Sequence, residues 1–226
     1  MQDIRKLALG ALALTLALIA PAQAQNDAPV FAVTYIEVTP SSTERTIELL
    51  REQAQASRAE RGNLRYQILQ RTGRPNHFAI LDAWESQAAR DASTAAAHTQ
   101  AFRAGLEPLM YSPYDERPST PIMGTASAGG EGEVYVLTHV DIIPTAVDEG
   151  RALVEGLVKA SRQELGAVDI GVIEQNSRRN HLTLFEVWSS AEHRIAHTAT
   201  AHTRQFRDGM ATRSGSLYDE RLYRRL

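Results

Sequence analysis

The chain has 226 residues, of which 43% are hydrophobic and 23% are charged, a composition typical of an ordinary globular protein with one or two domains. Its formal net charge of -3 leaves no basic surplus to neutralise a phosphate backbone, so we expect no nucleic acid partner. The sequence contains no cysteine. Disulfides therefore cannot stabilise it, and its stability must come from its core.

The N-terminal residues carry the features of a secretory signal peptide. Arg5 and Lys6 precede an apolar run from residue 7 to residue 20, and a small-x-small triplet follows at residues 22–24. The apolar run is shorter than the roughly 20 residues that a membrane-spanning helix needs, which favours cleavage over the alternative of a retained anchor. We predict a signal peptide over residues 1–24 and a secreted protein without a stable membrane anchor, periplasmic if the host has two membranes.

The rest of the chain contains one sequence pattern twice. The stretch AHTQAFRAGL begins at Ala97, and AHTRQFRDGM begins 104 residues later at Ala201. The same offset relates Gly62 to Gly166, Asn76 to Asn180, His77 to His181, Trp84 to Trp188, and the YDER that begins at Tyr114 to the YDER that begins at Tyr218. An offset of this length indicates a duplicated domain, because solenoid repeats have periods of roughly 20 to 50 residues. We place the domains at residues 30–121 and 133–226, with a Gly- and Ser-rich linker at residues 122–132.

Each copy predicts the same order of elements. A β-rich run opens each copy, VFAVTYIEV in the first and VYVLTHVDI in the second. An amphipathic helix follows, which begins at Ser/Thr capping candidates in the first copy and ends at Gly62 or Gly166 as its C-terminal cap. Two strands joined by a turn come next, LRYQILQRT and HFAILDAW in the first copy. One Ala-rich helix and a strand beginning near YDER complete the copy.

This order, β-α-β-β-α-β, predicts a ferredoxin-like α+β domain. Such a domain covers one face of its sheet with two helices and leaves the other face bare. An exposed apolar sheet face has to be buried, and the second copy is the obvious cover. We therefore expect the two tandem ferredoxin-like domains to pack sheet to sheet as an internal dimer, and further oligomerisation stays open.

Several segments resemble one known family. AERGNLRYQIL, HFAILDAWES and AHTQAF in the first copy, and QELGAVDIGVI, HLTLFEVWSS and AHTATAHTRQF in the second, are similar to the antibiotic biosynthesis monooxygenase domain, whose members include quinol and anthrone monooxygenases. The resemblance implies a dimeric α+β barrel. It also implies cofactor-independent oxidation of a small electron-rich aromatic substrate, such as a quinol, anthrone or polyphenol, by O2. Anthrone oxygenases of the family are similar in using an Asn four residues before the strand Trp, whereas Ile80 and Leu184 stand there in this sequence.

Two strands place an acid beside a tryptophan. Period-two alternation puts Asp82 and Trp84 on one face of their strand, and Glu186 and Trp188 on one face of the matching strand. Burial would raise the pKa of such an acid and make it a proton acceptor near neutral pH, whereas at the strand end it would be solvated. For the tryptophans, substrate stacking and core packing are both open.

The histidines form a second set of candidates. His98 and His202 share one helix position in the two copies, which suits either a base that contacts substrate or a structural hydrogen bond. His193 and His197 lie four residues apart on one helix face, the spacing of metal ligands. The first copy lacks both, and no acidic ligand motif accompanies them, so we predict no metal site.

These patterns define the predicted site. The candidate catalytic residues are His98, His202, Asp82 and Glu186, and the candidate substrate-binding residues are Tyr35, Tyr66, Trp84, His139, Trp188 and His197. The sequence contains no Gly-rich phosphate loop, Ser nucleophile motif or nucleotide fingerprint, so no organic cofactor is indicated. The competing hypothesis is a non-catalytic periplasmic binding module that retains a hydrophobic ligand or haem.

Overall fold

The computed structural model describes residues 28–124 and 132–226, in which eight strands and six α-helices form. The predicted signal peptide at residues 1–24 lies outside the described residues, as do residues 125–131 of the predicted linker. Within the described ranges, none of the helices combines the length and the apolar character that crossing a membrane requires.

The predicted order of elements is confirmed in both halves of the chain. The first half contains β1 (Val30–Glu37), α1 (Thr43–Arg58), β2 (Asn63–Arg71), β3 (His77–Trp84), α2 (Gln87–Ala95), α3 (Ala97–Leu106) and β4 (Asp115–Met123). The second half contains β5 (Val134–Asp141), α4 (Val147–Ser161), β6 (Ala167–Gln175), β7 (His181–Trp188), α5 (Ala191–Thr198), α6 (Ala201–Met210) and β8 (Asp219–Arg225). Strand β4 continues into the first two residues of the predicted linker.

The single Ala-rich helix predicted after Trp84 is in fact two helices, α2 and α3. Ala96 between them has extended backbone angles (φ -65°, ψ 146°), which end one helix and begin the next. In the second half Thr200 takes the same role, and its hydroxyl accepts a hydrogen bond from the backbone N–H of Thr203. Each break turns the chain, so that two short helices rather than one long helix line the outer face of the sheet.

The predicted ends of the first helix are also corrected. Ser42 occupies the N-cap position of α1 but makes no capping bond through its side chain. The helix ends at Arg58, four residues before Gly62. Gly62 instead closes the following loop with a positive φ of 84°, and its carbonyl accepts the backbone N–H of Glu85 at 2.8 Å. A Cβ there would lie 2.8 Å from the Glu85 side chain, so the glycine is needed for this close approach.

The eight strands close into one antiparallel barrel in the order β1-β3-β2-β8-β5-β7-β6-β4. The last strand of each half joins the two halves: β4 pairs with β1 and β6, and β8 pairs with β5 and β2. The predicted packing of the two domains against each other is therefore confirmed as a barrel within one chain. Because the barrel is closed, these strands leave no edge unpaired.

Three apolar cores follow from the alternation of side chains along the strands. One core contains residues of both halves and lies inside the barrel; its largest members are Phe31, Leu81, Tyr135, Phe185 and Tyr223. The other two lie outside the barrel, each between one half of the sheet and its helices. Trp84 belongs to the first of these outer cores and Trp188 to the second. The outer face of the sheet in each half is therefore where strand residues meet helix residues.

Candidate functional site

A cavity of about 380 Å³ lies between the outer face of the first half's sheet and its helices. This volume is within the range of small-molecule sites. Its aromatic lining consists of Tyr66, Trp84, Phe102 and Tyr114, and its polar lining includes Thr34, Gln53, Asp82, Arg90, Ser93, Thr99 and Glu116. The lining residues come from β1, α1, β2, β3, α2, α3 and β4, so the site is assembled by the tertiary fold rather than by one loop.

Asp82 is the buried acid of this cavity. Its Oδ1 accepts the indole N–H of Trp84 at 2.8 Å and lies 3.9 Å from Nε of Arg90. Burial raises the pKa of Asp82 to about 7, because loss of hydration outweighs the lowering by the Arg90 charge and the Trp84 hydrogen bond. Near neutral pH the carboxyl group is therefore present in both protonation states, as a proton acceptor requires.

Glu116, in the YDER that begins at Tyr114, positions the cation beside Asp82. Arg90 Nη2 lies 2.5 Å from Oε1 of Glu116, and Arg103 Nη1 lies 3.8 Å from its Oε2. The guanidinium of Arg103 in turn lies 3.5 Å from the ring centroid of Tyr114. Charges of both signs thus surround one wall of the cavity.

Tyr114 and Glu116 were not predicted as site residues, although the sequence contained a signal for both. The YDER tetrapeptides served only to show the repeat. At the start of β4, period-two alternation sends Glu116 and the preceding Tyr114 to the cavity, while Asp115 and Arg117 point to the other face and pair with each other at 2.6 Å.

Tyr66 provides a neutral hydroxyl at the same site. Its register partner on β3 is Asp82, so the two side chains share one face. Burial raises the pKa of Tyr66 above its ordinary value, because loss of hydration outweighs the lowering by the neighbouring Gln53 and Ser57 side chains. The phenol therefore stays protonated at neutral pH and can donate to an oxygen of a bound molecule.

The structure places His98 behind the cavity wall rather than in it. Its Nδ1 lies 3.0 Å from Oε1 of Gln53, and its Nε2 lies 3.1 Å from Oε1 of Glu60. Gln53 lines the cavity, so His98 is separated from the cavity by one side chain. The geometry suits a positioning residue for Gln53 better than a base that contacts substrate.

Tyr35 and His139 lie elsewhere. Strand alternation sends Thr34 to the cavity and Tyr35 to the barrel side, where the guanidinium groups of Arg117 and Arg221 lie 4.8 Å and 5.1 Å from its ring. His139, its counterpart, lies 3.3 Å from both Arg117 and His181. The structure therefore does not bring these two candidates to Asp82 and Trp84.

The second half repeats the acid and tryptophan but surrounds them differently. Trp188 donates its indole N–H to Oε2 of Glu186 at 2.7 Å, and burial raises the pKa of Glu186. The position of Ser93 is taken by His197, whose buried ring lies 4.8 Å from the Trp188 ring and 3.8 Å (Nε2) from Glu186. The polar Gln53 and Tyr66 are replaced by the apolar Leu157 and Ile170.

His197 and His202 also share one partner. Each places a ring nitrogen 2.7 Å from Oε1 of Glu164, a residue that sequence reasoning did not single out because it lies 33 positions before His197. The structure thus brings together four of the five second-half candidates, Glu186, Trp188, His197 and His202, and places His139 elsewhere. An imidazole covers the acid and the tryptophan in this half, whereas the first half has a cavity there. The first half is the candidate active site.

Comparisons with known proteins agree with this architecture. The sequence model of a family described as antibiotic biosynthesis monooxygenase matches residues 29–105 and 133–209. "Putative monooxygenase YcnE" of Bacillus subtilis (strain 168) is 35% identical over 81 residues, which is 36% of this chain and 85% of that protein. The matched segment is about the length of one domain of this chain but spans most of the relative. This is the result expected if this chain carries the domain twice.

Solved structures share the whole barrel. A protein from Fusobacterium nucleatum, described as a putative monooxygenase, superposes with a TM-score of 0.80 at 13% identity, over 89% of this chain and 94% of that one. An anthrone oxidase-like protein superposes with a TM-score of 0.68 at 12% identity, over 89% and 92%. At these identities the likeness is one of fold.

Proposed function

This chain belongs to the antibiotic biosynthesis monooxygenase family, and we propose that its first domain oxidises a small, electron-rich aromatic compound with O2. The observation that carries the proposal is the buried carboxyl group of Asp82, which is fixed by Trp84, has a pKa of about 7 and lines a cavity of about 380 Å³. A base with this pKa can deprotonate a weakly acidic substrate at neutral pH. The family resemblance supports substrates of the quinol, anthrone or polyphenol type and a reaction in which no cofactor takes part.

The proposed reaction begins with proton transfer from the substrate to the Asp82 carboxylate. The substrate anion then gives one electron to O2, and the two radicals combine to form a substrate peroxide anion, which takes back the proton from Asp82 and becomes a hydroperoxide. Loss of water from this hydroperoxide leaves the oxidised product, and Asp82 is again a carboxylate. For a hydroquinone the balance is one quinol and one O2 giving one hydroxyquinone and one water, so the substrate supplies all the electrons.

Neighbouring side chains have distinct parts in this reaction. The Arg90 guanidinium, 3.9 Å from Asp82, favours the negative charge that appears on the substrate when it loses its proton. The ring of Trp84 offers a stacking surface, and the Tyr66 hydroxyl offers a donor for a substrate oxygen. The protein thus contributes orientation and a water-poor cavity.

The second domain has a different part in this proposal. His197 lies over Trp188 and Glu186, so the acid there is not open to an aromatic substrate. The strands of the second domain complete the barrel and so support the strands of the first domain. We also propose, from the predicted signal peptide, that the chain is exported.

Oxygen consumption by the chain from Gln25 onward, measured against hydroquinones and anthrones with a chelator present, tests the proposal. We expect uptake above autoxidation that scales with protein concentration. Asp82→Asn should lower kcat by about 10²-fold or more while the substrate still binds, because general base catalysis is typically worth that factor. Glu186→Gln is the matched control and should keep the wild-type rate. Ligand retention without uptake would instead favour a binding module.

A further inference from the structure

We propose that the second domain binds one divalent transition-metal ion, zinc in the first place, through Glu164, His197 and His202. The three residues come from three separate elements: the loop between α4 and β6, helix α5, and helix α6. Nδ1 of His197 and Nε2 of His202 each lie 2.7 Å from Oε1 of Glu164, and all three ligand atoms lie within 4.8 Å of one another. The site is separate from the cavity of the first domain.

The donor set is one that zinc uses. Two neutral imidazoles and one carboxylate supply three ligands, and a water molecule completes a tetrahedron. Zinc bonds of about 2.0–2.2 Å hold neighbouring ligand atoms about 3.3 Å apart, so small side-chain rotations around Glu164 suffice to admit the ion. The side chains of His202 and Glu164 are 27% and 15% exposed, which leaves a route from solvent.

A second layer of contacts orients the histidine ligand that is most deeply buried. Nε2 of His197, the nitrogen that faces away from Glu164, lies 3.3 Å from Oγ1 of Thr203 and 3.8 Å from Oε2 of Glu186. A carboxylate behind a metal-bound histidine fixes the ring and raises its basicity. The Thr203 hydroxyl is the direct hydrogen-bond partner of this nitrogen, and Glu186, which Trp188 holds by its indole N–H, lies just behind it.

The first domain supplies an internal comparison. Glu60 and His98 repeat the pair Glu164 and His202, with Nε2 of His98 3.1 Å from Oε1 of Glu60. The third position is Ser93 rather than a histidine, and its hydroxyl donates to the other oxygen of Glu60. The first domain therefore offers one carboxylate and one imidazole, whereas the second offers one carboxylate and two imidazoles. The difference is the replacement of His197 by Ser93 at the matching position. The expected stoichiometry is one ion per chain, not two.

Binding at this site would join the α4–β6 loop to α5 and α6. An ion that binds the folded chain and not the unfolded chain raises the free energy of unfolding by mass action. The inference is independent of oxygen chemistry in the first domain, and its readouts do not require activity.

Isothermal titration of the chelator-stripped full chain with zinc tests the inference, with Co²⁺ absorption as a second readout. We expect one ion per chain, a tetrahedral Co²⁺ spectrum and a zinc-dependent rise in Tm. His197→Ser, which installs the residue that the first domain carries, and the nearly isosteric Glu164→Gln should each abolish all three.

His98→Ala in the first domain and His193→Ala outside the ligand set are the matched controls, and both should keep one ion. Circular dichroism of each variant verifies that it folds. The inference is overturned if the wild-type chain binds no zinc, or if it binds zinc with the same stoichiometry and affinity after His197→Ser and Glu164→Gln.

Discussion

The indole N–H of Trp84 donates a 2.8 Å hydrogen bond to the carboxylate of Asp82, two residues earlier on the same strand. Residues two apart on a strand share a face, so this bond needs no loop or helix to hold it. It fixes the carboxylate while burial raises its pKa to about 7. The strand therefore presents a positioned base whose charge changes near neutral pH.

The first prediction concerns the pH dependence of oxidation. Since the base must be unprotonated, kcat/KM should rise with pH through about 7 and level off above it. Arg90→Gln removes the cation that lowers the pKa of Asp82, so the rising limb should move to higher pH. Arg45→Gln, on the exposed face of α1, should leave the profile in place. A rising limb that stays fixed in Arg90→Gln would contradict the assignment of Asp82 as the titrating base.

The second prediction concerns folding stability. Unfolded Asp82 loses its proton near pH 3.8, whereas folded Asp82 keeps it to about 7, so between these values the folded state binds more protons. The contribution of Asp82 to the free energy of unfolding must then fall as pH rises from about 4 to 7 and stay low above 7. A tenfold change in proton affinity is worth about 1.4 kcal/mol.

Asp82→Asn removes this titration and can still accept the Trp84 N–H. Urea unfolding should therefore show the variant gaining stability over the wild type as pH rises from 4 to 8. Glu48→Gln, an exposed acid of α1, is the control and should show a constant difference. A difference between Asp82→Asn and the wild type that does not change with pH would be incompatible with a raised pKa.

The third prediction uses the difference between the two domains. Ser93→His should place an imidazole on Trp84, as His197 lies on Trp188 at 4.8 Å between ring centroids, and so fill the cavity. Substrate affinity should fall by about fivefold to tenfold, because the stacking surface is lost and its contribution is about 1–1.5 kcal/mol. Ala92→His, at an exposed position of the same helix, is the control. Equal substrate affinity in both variants would show that the substrate does not use this cavity.

The sequence predicted the fold well because the fold depends on patterns that repeat. The strand alternation around Trp84 and Trp188 and the 104-residue offset gave the element order and the packing of one copy against the other, and the family resemblance implied the barrel. Local ends were harder: whether Gly62 caps a helix or closes a loop depends on Glu85, which approaches it only after folding. The split at Ala96 likewise depends on how two helices follow the curved sheet.

The site was predictable only along single strands. Asp82 and Trp84 were paired from alternation, whereas Arg90, Glu116 and Glu164 act across elements that lie far apart in sequence. Tyr35 was predicted to bind substrate but does not lie at the site. It was chosen by residue type, although strand alternation places it on the face away from Trp84.

Inside the barrel, Arg65 on β2 and Asp169 on β6 form a buried ion pair at 3.2 Å. The two residues occupy the same position in the two copies. In a symmetric dimer of identical chains this position would hold two arginines or two aspartates, so the pair exists because the copies are fused and have diverged.

The fourth prediction follows from this pair. Arg65→Ala should lower the free energy of unfolding by about 3–5 kcal/mol, because it breaks the buried ion pair between the Arg65 guanidinium and the Asp169 carboxylate. The exchange Arg65→Asp with Asp169→Arg keeps both charges at the junction and should recover most of that loss, whereas Arg65→Asp alone places two acids together and should be the least stable. Urea unfolding of the four proteins measures this coupling. Equal stability of the single and double exchanges would show that the pair does not join the domains.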